Sequence, residues 1–574
     1  MGTLIKKSKG KKRKPYWYYV ESGRVDGEPR IVRQVYLGTA EKIVTQMENA
    51  TRPRPLKATT LSWGLPGALW LAAQDSGMWD CLRAVWPAPT RGPGTAHYLL
   101  LAALHRVCAP GPKTTVAEWY AHSAMADQWG MAPSRFTSQA FWDAFDRIDQ
   151  RSPFPDDQIS QAQLRLLRRW RSEGLVGKTV LAYDSTNFYT YIDSKNDRCS
   201  LARRGKNKQK RDNLRQVGLA YAVDGTSGMG LYHHVYPGNL PDGPEFSVSL
   251  PRLLSFLDRA GVRRSTVTLT FDKGPADLAN VMQLEEEDLG WIAAVPWNEI
   301  PEPLRQVDEG QMRSCSARLP GTRLYGTEVE LWGGKRQAVL VHSSVFQSEQ
   351  LHSLTLAIAK ACGQLKALSR ELAQPPARPW KETAIRTKVA RILSGQWLGD
   401  VIVIDELRPT PGGCWALQFH VDNHAILQLL RTRLGRTLIA TNRLKWPFED
   451  TVAAYYGQSG IEREFRAMKD GEGCHWGPMF HWTDSKIRVH AFTIVLGLSL
   501  INYLNLRLHK ADFPMSREQM LTALKGIEDV VVVYPRTAEK GRYPTARVTT
   551  HDTLEQRRLG EILQFERLRV PPQG

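Results

Sequence analysis

The chain has 574 residues, more than one hydrophobic core commonly serves, so several domains are expected. Apolar residues make up 42% and charged residues 24%, as in globular proteins, while 77 Lys and Arg against 58 Asp and Glu leave a formal charge of +19 that points to a polyanion, nucleic acid first. Seven scattered cysteines (Cys81, Cys108, Cys199, Cys315, Cys362, Cys414, Cys474) form no CxxC pair and are odd in number, which argues against a disulfide framework or a structural zinc site and fits a reducing cytoplasm.

The chain opens on clustered charge, "KKSKGKKRK" from Lys6 to Lys14, with Lys11, Lys12 and Arg13 as candidate phosphate contacts. A secretory signal needs an apolar segment next, and "PYWYYV" is too short and too aromatic for one. "YWYYVES" and "RIVRQVYLG" alternate across "GRVDGEPR", so residues 1–57 are expected to form a basic β-hairpin arm and a linker ending in "RPRPLK". Residues 58–175 carry helical patterns ("AHYLLLAALHRV", "QAFWDAFDRI", "AQLRLLRRWRSEG") and are expected to be a helical DNA-binding domain. From 176 to 297 the rhythm is three strands, helix, strand, helix, strand: "KTVLAYDST", "LRQVGLAYAVD", "GMGLYHHVYPG", "FSVSLPRLLSFLDRAG", "STVTLTFDKG", "PADLANVMQLEEED" and "GWIAAVP". That order matches the first part of a ribonuclease H-like core. Residues 298–445 read as a mainly β insertion, and 446–512 as the second part of the core. "FTIVLGLSLINYL" within that part falls short of the ~20 apolar residues of a membrane span and reads as a buried helix. Residues 513–574 form a small tail with one β-rich patch, "DVVVVYP".

Asp184 in "LAYDSTNFY" and Asp272 in "TLTFDKGPADL" each follow an apolar strand and are expected at strand ends. Carboxylates so placed can hold a divalent metal through oxygen, and a third from a facing helix completes a two-metal site for phosphodiester chemistry. In "YYGQSGIEREFRAMKD", Tyr455, Glu462 and Lys469 stand seven apart, nearly two helical turns, and Gln458 falls between them, so one helical stripe is expected to carry all four. Ile461, Phe465 and Met468 form an apolar stripe beside Glu462, so an ordinary amphipathic helix with a Glu462–Arg466 surface pair is the bland alternative. His233, His234, His481 and His490 are expected to be structural, because magnesium prefers oxygen. The basic run Arg198 to Gln216, with Arg203, Arg204, Lys206, Lys208, Lys210 and Arg211, is expected to contact DNA.

These motifs, in this order over roughly 178–505, resemble the DDE-type insertion-sequence transposases with a Y-R-E-K signature, insertion-sequence family four. Tyr455, Glu462 and Lys469 keep the signature's spacing, while Gln458 stands where the family has Arg. "YPGNLPDGPEF", Tyr236 to Phe246, resembles the segment between the two Asp motifs. The resemblance implies a multidomain α/β protein whose ribonuclease H-like core is interrupted by the insertion. It implies Asp184, Asp272 and Glu462 as catalytic, metal-holding residues with two Mg²⁺ or Mn²⁺ ions, and Tyr455, Gln458 and Lys469 at DNA. It further implies cut-and-paste cleavage at element ends and strand transfer to target DNA, by a homodimer on DNA in a prokaryotic cytoplasm. In some such proteins an aromatic residue of the insertion holds a flipped base, and Trp332, Trp380 and Trp397 are candidates by position. A metal-dependent nuclease or resolvase, or a non-catalytic DNA-binding relative, are the competing readings.

Overall fold

The computed structural model describes residues 2–8, 15–25, 28–48, 55–177, 180–205, 211, 213–272, 277–375, 378–470, 473–535, 543–550 and 553–568. They fall into two units, Met1–Val267 with Gln458–Gly574, and Thr268–Gly457.

In the first unit the expected hairpin forms from Tyr16–Val25 and Glu28–Gly38, and a further strand, Gly2–Lys7, pairs antiparallel on its other side. Ile5, Trp17 and Val20 are buried, and Tyr18 packs on Tyr36 at 5.1 Å between ring centroids. The hairpin is tied to the end of the chain. Lys6 Nζ lies 3.2 Å from Glu528, and Arg557 donates to Thr3 at 3.0 Å. The linker ends in a strand too: Lys57–Ser62 pairs antiparallel with Glu528–Val533, which also pairs with Thr545–Thr549. The β-rich patch of the tail is therefore the middle strand of a sheet begun almost five hundred residues earlier, and 513–574 is no separate appendage.

Seven helices run from Gly64–Asp75 to Gln158–Ser172, as the pattern predicts. They do not close a core alone. The 27-residue helix Asp484–Lys510 packs on Gly64–Asp75 and Thr95–Cys108, and Ile487, Val489, Ala491, Phe492 and Ile494 on it are fully buried. It is long and apolar enough to cross a membrane, but 89% of its apolar window is buried inside protein. Gly497 allows the close approach: a Cβ there would meet Cys474 Sγ at 2.8 Å. The expected buried helix is confirmed, and it packs on the strand Gly230–Pro237 as well as on these helices.

Beside these helices stands an antiparallel meander, Val180–Thr190, Arg215–Asp224 and Gly230–Pro237. Its middle strand is buried at every position, as an uninterrupted apolar run between two covered faces requires. Helix Asp242–Arg259 follows, with Pro251 inside it.

The second unit opens on a parallel pair, Thr268–Phe271 and Gly290–Ala294, joined through helix Leu278–Glu286. The sheet then continues antiparallel through Arg436–Thr441, Gly334–Ser343, Thr322–Leu331 and Arg313–Ser314, giving a large mixed sheet. The expected insertion, 298–445, contributes both strands and helices. Its strands Gly334–Ser343 and Arg436–Thr441 extend the sheet of Gly290–Ala294 rather than forming a module apart. It also carries the 29-residue helix Ser344–Leu372 and the helices Glu382–Ile392 and Asn423–Thr432. A separate hairpin, Ile402–Thr410 with Cys414–Val421, packs on Ser344–Leu372 around Leu365, Leu368 and Leu372.

Candidate functional site

Asp184 is not at a strand end. It is the fifth of eleven residues in Val180–Thr190, half-buried, and its Oδ1 accepts from the Ser185 backbone N–H at 2.7 Å. Strand side chains alternate between faces, so Asp184, Thr186 and Phe188 point one way and Tyr183 the other. The contacts agree. Tyr183 donates to Glu245, a buried carboxylate, with 3.0 Å to each oxygen, and burial beside that charge pushes the Tyr183 phenol well up. Thr186 and Phe188 meet the helix Ser459–Asp470 instead. Lys469 Nζ donates to Thr186 Oγ1 at 2.5 Å and lies 5.7 Å from the centre of the Phe188 ring.

That helix sorts its residues by face. Ile461, Phe465 and Met468 are buried, as their spacing predicts. Glu462 is exposed and has no ion-pair partner among the described residues, Arg466 included. Glu464, which drew no attention in the sequence, is 3% exposed; its Oε1 accepts from Arg517 at 2.5 Å and from Asn502 at 3.3 Å. The first unit thus brings Asp184, Thr186, Glu462 and Lys469 onto one strand and the helix packed against it.

The single stripe over Tyr455, Gln458, Glu462 and Lys469 is broken. One helix ends at Tyr456 and the next begins at Ser459, with Gly457 between, where glycine lowers helix propensity. Gln458 sits in the break, 5% exposed, and its Oε1 is buried without a partner. Tyr455 lies in the second unit, with its hydroxyl 3.5 Å from Asp272 Oδ1. Asp272 directly follows the Thr268–Phe271 strand and is exposed, in the expected strand-end position. Asp277, in the same motif, caps the next helix through the Asn280 N–H at 2.9 Å.

The segment Tyr236 to Phe246 has a packing role. A Cβ on Gly238 would meet Gln216 O at 2.0 Å, so only glycine fits. In the basic run, Arg203 and Arg204 are exposed on a short strand against Arg215 and Gln216, and Arg211 is exposed as well. Arg215 is different. It is 8% exposed and donates to the carbonyls of Ala202, Asp193, Asn196 and Cys199 at 2.6–3.0 Å, fixing the loop before it. Lys11, Lys12, Arg13, Lys206, Lys208 and Lys210 lie outside the described residues.

The histidines are packed. His233 stacks on Phe492, and His490 contacts the Trp476 carbonyl at 2.9 Å. Burial pushes His233 and His481 down to about 3, so both are neutral inside the fold. Trp332 is 8% exposed and donates to Glu299 at 2.6 Å, while Trp380 and Trp397 pack against the core of the second unit. For a divalent ion, the oxygen donors of Asp184 and Glu462 are of the right kind. Among the described residues no three of His, Cys, Asp and Glu stand together as a ligand group.

No protein-family model and no curated protein matches the chain. Two solved structures are similar to it: a piggyBac transposase synaptic complex with hairpin DNA, at 10% identity over 80% of this chain and 76% of that one with a TM-score of 0.34, and a Mos1 transposase paired-end complex with left transposon end, at 15% identity over 36% and 60% with a TM-score of 0.15. Likeness this distant carries no weight beside the geometry of the chain itself.

Proposed function

We propose that this protein is a DDE-type DNA transposase that cleaves at the ends of a DNA element and joins them to target DNA. One observation carries the reading: the helix bearing Glu462 and Lys469 packs on the strand bearing Asp184, although they are far apart in sequence, and it leaves Glu462 exposed, with no ion-pair partner among the described residues. The reading takes these two carboxylates, one on the strand and one on the helix packed against it, as ligands of one site. In this reading the meander and the Thr268–Ala294 strand–helix–strand belong to one ribonuclease H-like core, and Asp272 is the third acid.

Asp184, Asp272 and Glu462 would hold Mg²⁺ or Mn²⁺, two ions in a full site, and when bound these activate a water or a DNA hydroxyl and stabilise the leaving oxygen. The chain's own part is positional and electrostatic. Lys469, held by Thr186, sets one positive charge beside the acids for a phosphate. Tyr455 is the partner of Asp272 in its own unit. Arg203, Arg204 and Arg211 offer guanidinium groups to the DNA backbone. The protein works as a homodimer on DNA, in a reducing cytoplasm.

The test is incubation of the purified protein with its native flanking DNA and Mg²⁺ or Mn²⁺. Nicks at the element ends, and joining of pre-cut 3′-ends to target, are expected. Cleavage without joining would make it a nuclease, and binding without either would make it a DNA-binding protein only.

A further inference from the structure

Beyond Thr186 the Val180–Thr190 strand runs on to a group of aromatic side chains that the chemistry above does not use. Phe188 stacks on Trp476 with ring centroids 4.1 Å apart and planes at 6°, and both are buried. Above this floor opens a cleft of about 310 Å³, with Tyr189 and Tyr191 on the strand side and Phe480 on the other. Tyr191 is 75% exposed and Phe480 67% exposed. A single exposed aromatic is ordinary, but two on facing rims of one cleft leave flat apolar faces in water.

Cations stand around it. Arg211 lies 4.7 Å over the Tyr189 ring, with Nη1 3.4 Å from the Tyr191 hydroxyl. Lys469 lines the cleft, and among the described residues no Asp or Glu does. Nearby, Arg198 lies 5.7 Å over Trp482, another exposed aromatic. Aromatic faces interleaved with cations suit a single nucleic-acid strand, whose bases stack while its phosphates pair with Arg and Lys. An apolar small molecule would not use the cations, and an acidic peptide would not use the open ring faces. Duplex DNA offers no free base face to either.

We propose that this cleft takes one unpaired base of a DNA strand against Tyr191 and Phe480, with the neighbouring phosphates held by Arg211 and Lys469. The site lies in the first unit and is distinct from the tryptophans of the insertion. It rests on the transposase reading only for which strand it holds: Lys469 is shared with the Glu462 helix, so the base belongs to the strand beside the acids.

The experiment uses the full chain without divalent metal, so no cleavage intervenes. Affinity is measured for a duplex with a short unpaired end and for the same duplex made blunt, with 2-aminopurine at the unpaired position. Tyr191→Ala with Phe480→Ala removes two exposed rings and leaves the core intact. The expected result is a loss of about 10- to 100-fold on the unpaired end, a change of about twofold or less on the blunt duplex, and loss of the stacking quench of 2-aminopurine. Equal losses on both DNAs, or no loss on either, would overturn the proposal. If the Glu462→Gln protein cleaves normally while the unpaired-end preference persists, the transposase reading fails and this site stands.

Discussion

Two carboxylates two residues apart on one helix have opposite fates. Glu464 faces inward, where Arg517 and Asn502 both donate to its Oε1 and tie three helices together. Glu462 faces outward with nothing to pair with among the described residues. The basic run repeats the contrast: Arg215 is enclosed by four carbonyls, while Arg203 and Arg204 stay in water. Charge by itself therefore says little about role. An enclosed charge tied to several partners holds the fold, and an exposed one that meets at most one neighbour, as Arg203 meets the Ser200 carbonyl and Arg204 the Ser194 hydroxyl, keeps donors for a ligand.

The sharpest way to break this comparison is at Glu462. Glu462→Gln should abolish DNA cleavage and leave the denaturation midpoint unchanged; cleavage near the unaltered level would remove Glu462 from the chemistry. Glu464→Ala should do the reverse kind of damage, a loss of about 3 kcal/mol in chemical denaturation, because Arg517 is left without its counter-ion. A stability change within experimental error there would deny that the inner pair matters.

Acid sharpens the same contrast for the enclosed groups. His233 and His481 are held neutral down to about 3, while in the unfolded chain they protonate near 6.5. Their contribution is present above that unfolded value and is lost as pH falls toward the folded one. Each should cost up to about 1.4 kcal/mol of stability per pH unit below roughly 6. Urea melts at pH 7 and pH 5 measure this, and His233→Phe should flatten the slope.

Lys469→Ala should slow cleavage about 100-fold, the scale for one lost charge-stabilising donor, with binding of Mn²⁺ retained. The smallest effect is expected from Arg203→Ala and Arg204→Ala, each lowering the log–log salt slope of duplex binding by about 0.9 without moving stability. Arg215→Ala should instead lower stability by about 2 kcal/mol through its lost hydrogen bonds to the loop. A titration showing all three variants alike would erase the distinction between enclosed and exposed arginines.

Much of this was legible from local pattern. The strands around Asp184 and Asp272, the helix with Pro251, the buried helix at 484–510 and the apolar stripe of Ile461, Phe465 and Met468 all follow from periodicity, which depends only on near neighbours. The break at Gly457 was not: glycine lowers helix propensity at Gly457 and Gly460 alike, yet the second lies inside the helix Ser459–Asp470. The aromatic cleft gave no signal, because Tyr191 and Phe480 lie nearly three hundred residues apart and obey no common period.

By itself the sequence determined which residues could be acids, cations and apolar stripes, and in which local element each sits. Only the tertiary structure decided which of them meet. Strand Lys57–Ser62 finds its partner at Glu528–Val533, and the apolar helix Asp484–Lys510 completes a core begun at residue 64. Glu464 becomes a structural ion pair while Glu462 stays exposed, with no ion-pair partner among the described residues. The physical reason is that burial and pairing are properties of long-range packing: a carboxylate's partner is chosen by which helix lies across it, and no spacing along the chain records that choice.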